Sequence, residues 1–396
     1  MPLSILSSPR RQSPSGAELR CSVIVPVFHG GEHLSRCLAS LAAALRPLDE
    51  LIVVANGEGD GTWRMAQNYQ ARIVHIATND GPATARNAGG AAASGDILFF
   101  TDPDVTVYPD CFARIAEAFR ADKELAALIG SYDDAPAEQN FVSQFKNLFN
   151  HYVHQHGAVN ASTFWGACGA IRRRVFLALG GFDESYARSS IEDIELGYRL
   201  RAAGHRIQLE HDLQVKHWKK WDAFTLIKSD FRDRAVPWTE LILDQLTDGG
   251  RVALDLNLGR RYQISLLTSA AIVLAFIATP FFPLAVTLVP LLGAAFLVEH
   301  RALLRFFGEK KDWPFCLGAI VWRLIYDLCS LAGLLAGTLR FVFRKLVLSE
   351  TPDDVSDRSS GSDRTTSQWG TDGGFSESTP MTPALVAAAK VRATLR

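Results

Sequence analysis

Apolar residues gather into short runs along the first half of the chain, at residues 21–27, 51–55, 72–76 and 97–100. Their length and composition read as buried strands. Between the first two runs, Leu34, Leu38, Leu41 and Leu45 recur at helical spacing and make one apolar face. Residues 83–93, rich in Ala, read as a small-residue helix between the third and fourth runs. Alternation of this kind predicts right-handed βαβ units and a mainly parallel α/β sheet, extending from residue 21 to about residue 218. Ligands of such sheets sit beyond the carboxyl ends of the strands. Pro26, Asn56 and Asp102 all lie at or just past such ends.

The pattern changes after Arg261. Residues 264–298 contain no charged side chain. At about 1.5 Å per residue, one helix of that length would overrun a ~30 Å hydrocarbon core. Pro280, Pro283 and Pro290 break it, so two shorter membrane helices folded as a hairpin around residues 279–283 are expected. A third apolar stretch runs from Phe315 to about Phe343, interrupted by Arg323 and Asp327, which can pair at their i, i+4 spacing. Arg251, Arg260 and Arg261 precede the first span, and Arg301, Arg305, Lys310 and Lys311 follow the second, so both flanks read as cytoplasmic. Arg340, Arg344 and Lys345 conflict with that, because three crossings would put them outside. The expected organisation is a flexible N-terminus (1–20), a sheet domain (21–220), amphipathic interfacial helices (221–261), a transmembrane region (262–345) and a disordered tail (346–396). The tail is poor in large apolar residues, and residues 383–396 fit a weak basic helix.

Composition narrows the setting. The 396 residues suffice for a full domain plus a second module, and the net charge of −1 argues against a nucleic-acid partner. Six scattered cysteines form no CxxC pair, which fits a reducing compartment and no zinc site. The polar N-terminus lacks the apolar core of a signal peptide. A multi-pass protein of the plasma membrane (the inner membrane in a bacterium) with its sheet domain in the cytoplasm is expected.

Several motifs carry chemistry. The run 97–100 delivers Asp102 and Asp104 one residue apart, and paired carboxylates at a strand end suit a hard divalent cation that also holds phosphate oxygens. Asp-Pro-Asp is also ordinary turn chemistry. Upstream, Gly57, Asp60 and Gly61 lie in a Gly-rich turn after the second run, and Arg86 sits on the helix leading to the aspartates. Downstream stand Trp165-Gly166 and Gly180-Gly181-Phe182-Asp183, then Glu192-Asp193 at a helix start. A helix N-terminus favours a carboxylate, which explains Glu192-Asp193 either as chemistry or as helix decoration. His217 ends a strand beside Lys219 and Lys220, in a position to meet a metal or a diphosphate or simply to pack. His151, His154 and His156 read as a surface or loop cluster.

In this order and spacing the motifs resemble the family 2 nucleotide-sugar glycosyltransferases of GT-A fold, over residues 21–218. The resemblance implies a nucleotide-sugar donor, a lipid or glycan acceptor at a membrane, and Mg2+ or Mn2+. It places Asp104 on the metal, Asp102 on the metal or the ribose, and Pro26, Asn56, Asp60, Arg86 and His217 around the nucleotide. Asp193, with Glu192 beside it, becomes the general base of an inverting transfer. Where the family usually carries an aspartate for the base, this chain has Ala55 followed by Asn56, and the Gln-x-x-Arg-Trp motif of polymerising members is missing. The other reading is a catalytically weak sugar-nucleotide-binding membrane protein serving glycan assembly or export.

Overall fold

The computed structural model describes residues 18–57, 59–186, 188–249 and 259–349. The N-terminal and C-terminal segments, including the helix expected at 383–396, lie outside the described residues. Nine strands, β1 (Cys21–Val27), β2 (Glu50–Asn56), β3 (Arg72–Ile76), β4 (Ile97–Thr101), β5 (Val105–Val107), β6 (Leu125–Tyr132), β7 (Asn160–Ala161), β8 (Cys168–Arg172) and β9 (Arg206–His217), form one sheet. Its order is β3-β2-β1-β4-β8-β6-β9-β5, with β7 paired to β9. The expected parallel unit is β3-β2-β1-β4. β8 runs antiparallel between β4 and β6. The carboxyl ends of β1, β2 and β4 therefore share one edge.

Helices α1 (His33–Ala44), α2 (Pro82–Ala92), α3 (Cys111–Ala121), α4 (Phe141–Gln155), α5 (Arg173–Ala178) and α6 (Glu192–Ala202) complete the domain. Leu34, Leu38 and Leu41 of α1 are buried against one face of the sheet, with Leu45 packed at its border. The other face carries a second core in which Phe100 meets the rings of Phe164, Phe176 and Phe182 at 6.3, 5.2 and 5.1 Å. α2 can lie close to the sheet because Gly89 has no side chain; a Cβ there would stand 2.4 Å from Ile24 Cγ2.

The second half is helical: α7 (Ala223–Lys228), a π-helical turn (Ser229–Ala235), α8 (Val236–Thr247), α9 (Arg260–Ala278), a 3-10 turn (Pro283–Thr287), α10 (Leu288–Glu299), α11 (Arg301–Lys310) and α12 (Trp313–Ser349). α9 and α10 pack on each other as the expected hairpin. α9 and α12 are each long and apolar enough to cross a membrane, and residues 283–310 form a third candidate bent by 65°. Arg323 and Asp327 do pair, at 2.5 Å and both buried. Ser265 and Ser269 of α9 donate hydroxyl hydrogen bonds to the same Asp327 oxygen, at 2.5 and 3.0 Å. A buried ion pair is tolerable only with its remaining lone pairs satisfied in this way.

α4 faces both halves. Its Phe145 and Phe149 form a third core with Phe307 of α11 and Phe315 and Ala319 of α12. His151 and His154 correct the expectation of a surface cluster, whereas His156, just past the helix, is exposed as expected. His151 is buried, with Nδ1 2.7 Å from the Tyr132 carbonyl, and burial pushes His154 down to about 4. A carbonyl within reach lets a helix bury a histidine, as Tyr132 does for His151.

Removing the Phe100 ring tests the packing beneath the site. Phe100→Ala should cost about 3–5 kcal/mol. Thermal melting of the detergent-solubilised chain checks this, and an unchanged midpoint would contradict the four-ring core.

Candidate active site

The rim is built where β4 stops. Thr101 ends the strand, and the Val105 amide donates to the Asp102 carbonyl at 3.1 Å, closing the turn that carries both aspartates. β5 then pairs with β9 so that Val105 stands opposite His217. The Trp218 amide donates to the Asp104 carbonyl at 2.8 Å. His217 Nε2 thereby comes within 3.7 Å of Asp104 Oδ2. Tyr132 stacks on the His217 ring at 4.5 Å and 6° and fixes its plane.

Arg86 joins the two acidic motifs. From α2, its Nη2 donates to Asp102 Oδ1 and its Nη1 to Glu192 Oε1, both at 2.8 Å. Arg86 and Glu192 are each 3% exposed. The Ser190 amide donates to the other Glu192 oxygen at 2.8 Å. Glu192 is thus fully occupied in holding Arg86, whereas Asp193, next along α6, has its carboxylate at the rim. Asp193 Oδ2 accepts from the Gly166 amide at 3.0 Å and Oδ1 from the Ile194 amide at 2.8 Å.

The three aspartates are tuned apart. Burial raises Asp193 to about 6, with the neighbouring Glu192 adding to the shift and the Gly166 amide opposing it. The helix dipole expected to keep this group acidic is outweighed. Burial likewise raises Asp102, even against Arg86. For Asp104 burial acts in the same direction, but the His217 ring overrides it and lowers the carboxyl.

The remaining sequence candidates lie on the same edge. Pro26 is buried in β1, past the last β1–β4 pair, Ile24 with Phe100, where its missing amide costs no bond to β4. Asn56 spends its amide nitrogen on Asn79 Oδ1 (2.9 Å) and the Gly81 carbonyl (3.1 Å). Its Oδ1 is buried without a partner. Asp60 accepts from the amide and hydroxyl of Thr62 at 3.0 and 2.6 Å and from the Gly31 amide at 3.4 Å, tying the loop after β2 to the loop after β1. Gly59, at φ +50°, lets that loop close on the Phe28 carbonyl, where a Cβ would sit 1.9 Å away.

Sequence reasoning missed a cavity beside Asp104, lined by Tyr132, Lys146, Asn147, His217, Lys219 and Arg234 among others. Lys146 is buried on α4 and pairs with Asp230 of the π-helical turn at 2.8 Å. Burial pulls its ammonium down despite Asp230. The signal was present as polar residues on the inner face of an otherwise aromatic helix, which periodicity alone does not assign.

The glycosyl transferase family 2 profile matches residues 22–180. Over these residues the chain is similar to that family. The match covers the rim from β1 to α5 and stops before Glu192 and Asp193. Among similar proteins is the succinoglycan biosynthesis protein ExoA of Rhizobium meliloti, 30% identical over 213 residues, 50% of this chain and 63% of that protein. Another is the validoxylamine A glucosyltransferase of Streptomyces hygroscopicus, 27% identical over 217 residues, 46% of this chain and 51% of that protein. Each match thus spans less than two thirds of the relative. Among solved structures, the mannosyltransferase PcManGT from Pyrobaculum calidifontis, in complex with GDP-Man and Mn2+, superposes with a TM-score of 0.48. It is 17% identical and covers 83% of this chain and 88% of that one. The sheet domain here is mostly parallel, with the acidic turn at its carboxyl edge.

The Arg86 bridge makes a testable demand on stability. Arg86→Ala leaves Glu192 buried without its cation and should cost about 3–5 kcal/mol. Arg86→Met combined with Glu192→Leu should recover a large part of that loss. Thermal melting of both variants checks the pair, and an unchanged melting point for Arg86→Ala would refute the bridge.

Proposed function

We propose that the protein is an inverting, metal-dependent glycosyltransferase that moves a sugar from a nucleotide-sugar donor to a lipid or membrane-associated glycan acceptor. One observation carries the reading. A single buried guanidinium ties the Asp102–Asp104 turn to the Glu192–Asp193 helix start, so a metal-type carboxylate and a base-type carboxylate share one rim.

The donor set suits Mg2+ or Mn2+. Among the described residues no ready cluster of three acidic, His or Cys ligands is assembled. Mg2+ is usually held by one or two carboxylates with substrate phosphates supplying the rest. Asp104 is the first ligand, with His217 beside it and the free oxygen of Asp102 within the same turn. Such an ion, when bound, neutralises the departing nucleoside diphosphate. Lys146, Lys219 and Arg234 add positive charge around the adjoining cavity, suited to phosphate oxygens. Pro26, Asn56 and Asp60 shape the nucleotide end. The orphaned Asn56 Oδ1 is an acceptor for a ligand N–H group.

Asp193 takes the proton of the acceptor hydroxyl as its oxygen attacks the anomeric carbon from the face opposite the leaving phosphate. The carbon–phosphate oxygen bond breaks in the same displacement, which inverts the centre. A base near pKa 6 is ionised at neutral pH and still a useful proton acceptor. Glu192 acts through Arg86 as a positioning residue. The α9–α10 hairpin crosses the membrane, with Arg260, Arg261, Arg301 and Arg305 and the sheet domain on the cytoplasmic face. Full-length protein should remain with membranes after an alkaline carbonate wash.

Three outcomes follow for purified protein. Asp104→Asn should weaken donor binding and abolish its metal dependence in calorimetry; unchanged metal-dependent binding removes the assignment. Asp193→Asn should leave donor affinity and melting nearly intact while transfer falls by about 10²–10⁴; near-normal turnover to a hydroxyl acceptor ends the base role. The folded carboxyl is raised, so it is protonated below about 6. kcat/KM should therefore be level above that pH and fall as pH drops through it.

A further inference from the structure

α12 is too long for a simple crossing. Its 37 residues extend about 55 Å, against a ~30 Å hydrocarbon core. It also touches the rest of the protein along its whole length. Near its start, the Phe315 ring lies 5.1 Å from Phe141 of α4. Midway, Tyr326 lies 5.4 Å from Phe149, also on α4. Further on, Gly333 and Gly337 admit close approach of the π-helical turn and α8. A Cβ at these glycines would stand 2.2 Å from Ala235 and 2.6 Å from Thr239. At the far end, Arg340 pairs with Glu240 at 3.2 Å and Arg344 with Asp244 at 2.5 Å.

Those partners belong to the sheet-domain side. α4 packs on β6, and Trp238 of α8 donates to the Tyr198 hydroxyl of α6 at 3.0 Å. Ser190 bonds the Asp233 carbonyl of the π-helical turn. If α12 stood across the bilayer, α8 would be drawn into hydrocarbon with Glu240 and Asp244, a depth that carboxylates avoid. On the opposite face of α12, Val321, Leu335, Leu339 and Val342 are 60, 67, 71 and 47% exposed. At 3.6 residues per turn these positions fall within one stripe. An unbroken apolar stripe outward, with cations paired inward, is the pattern of a helix lying in an interface.

We infer that α12 lies in the plane of the bilayer surface, between lipid and the sheet domain, and that its carboxyl end stays on the sheet-domain side. The inference rests on the membrane reading above and commits the apolar stripe to lipid. It is continuous with the α9–α10 hairpin, which is bonded to the middle of α12 through Ser265 and Ser269. The tip residues Phe281 and Leu284 are 76 and 83% exposed. It also removes the charge conflict in the sequence, since Arg340, Arg344 and Lys345 then stay cytoplasmic. The contact of Ala235 on Gly333 holds Arg234, which lines the cavity, next to this helix.

The test uses full-length protein in sealed vesicles, with Cys316 and Cys329 replaced by Ala. A fluorophore is placed in turn at Val321→Cys, Leu335→Cys and Val342→Cys and quenched by lipids labelled at graded depths. Equal, shallow depths are expected; a depth that rises to the bilayer centre and falls again overturns the inference. In parallel, an impermeant maleimide is applied to Ser360→Cys and to Lys123→Cys on the sheet domain. Matching protection is expected, and opposite protection overturns it. Carbonate extraction separates the two levels. Release from the vesicles defeats the membrane reading and this one with it, whereas retention with graded depths defeats only the placement of α12.

Discussion

The site depends on the burial of one cation. Arg86 reaches two carboxylates whose chain positions are as much as 106 residues from its own, and its fork is satisfied at one end by the acidic turn and at the other by the start of α6. Arginine suits this task because its planar donors can address two acceptors at fixed angles. The desolvation that makes such a pair marginal for stability also makes it intolerant of partial loss. Phe182 covers the guanidinium at 5.5 Å, and Gly166 leaves room for it; a Cβ there would lie 3.3 Å from the Arg86 Cζ. The Gly166 backbone then serves Asp193 directly. One small residue therefore accommodates the cation and orients the neighbouring carboxylate.

The same geometry separates three aspartates that sequence treats alike. Desolvation pushes all three carboxyls upward, and for Asp104 it is overridden. Their neighbours differ: an imidazole for Asp104, a guanidinium and another carboxylate for Asp102, and Glu192 opposed by an amide for Asp193. Divergent proton affinities on one rim are what acid–base chemistry requires. They arise here from packing rather than from any difference in residue type.

Much of the fold was legible because strand runs and the Leu34–Leu38–Leu41 face are local signals. The rim candidates were legible because parallel strands bring their carboxyl ends to one edge. Glu192 was not separable from Asp193 in sequence, since only the partner 106 residues away shows which carboxylate is occupied. Lys146, Tyr132 and Asp230 were invisible for a similar reason: their roles come from contacts between distant elements. The histidines of α4 were misread because burial depends on what covers a helix, here the Phe306 ring stacked 5.7 Å from His151. The proline-broken hairpin was readable, but nothing local distinguishes an apolar helix that crosses lipid from one that leans on protein.

α4 belongs to two cores at once. Toward the sheet it carries His151, bonded to the Tyr132 carbonyl; toward the apolar helices it carries Phe145 and Phe149. A cut at the expected end of the sheet domain, residue 220, would therefore sever the contacts that α4 makes with α11 and α12. A chain cut there would bare an aromatic surface that normally meets Phe307 and Phe315, and would behave as an aggregating fragment rather than a solubilised domain. By the same token the sheet domain is not an exchangeable cassette: grafting it onto another anchor would require the recipient helices to reproduce the aromatic seat under α4.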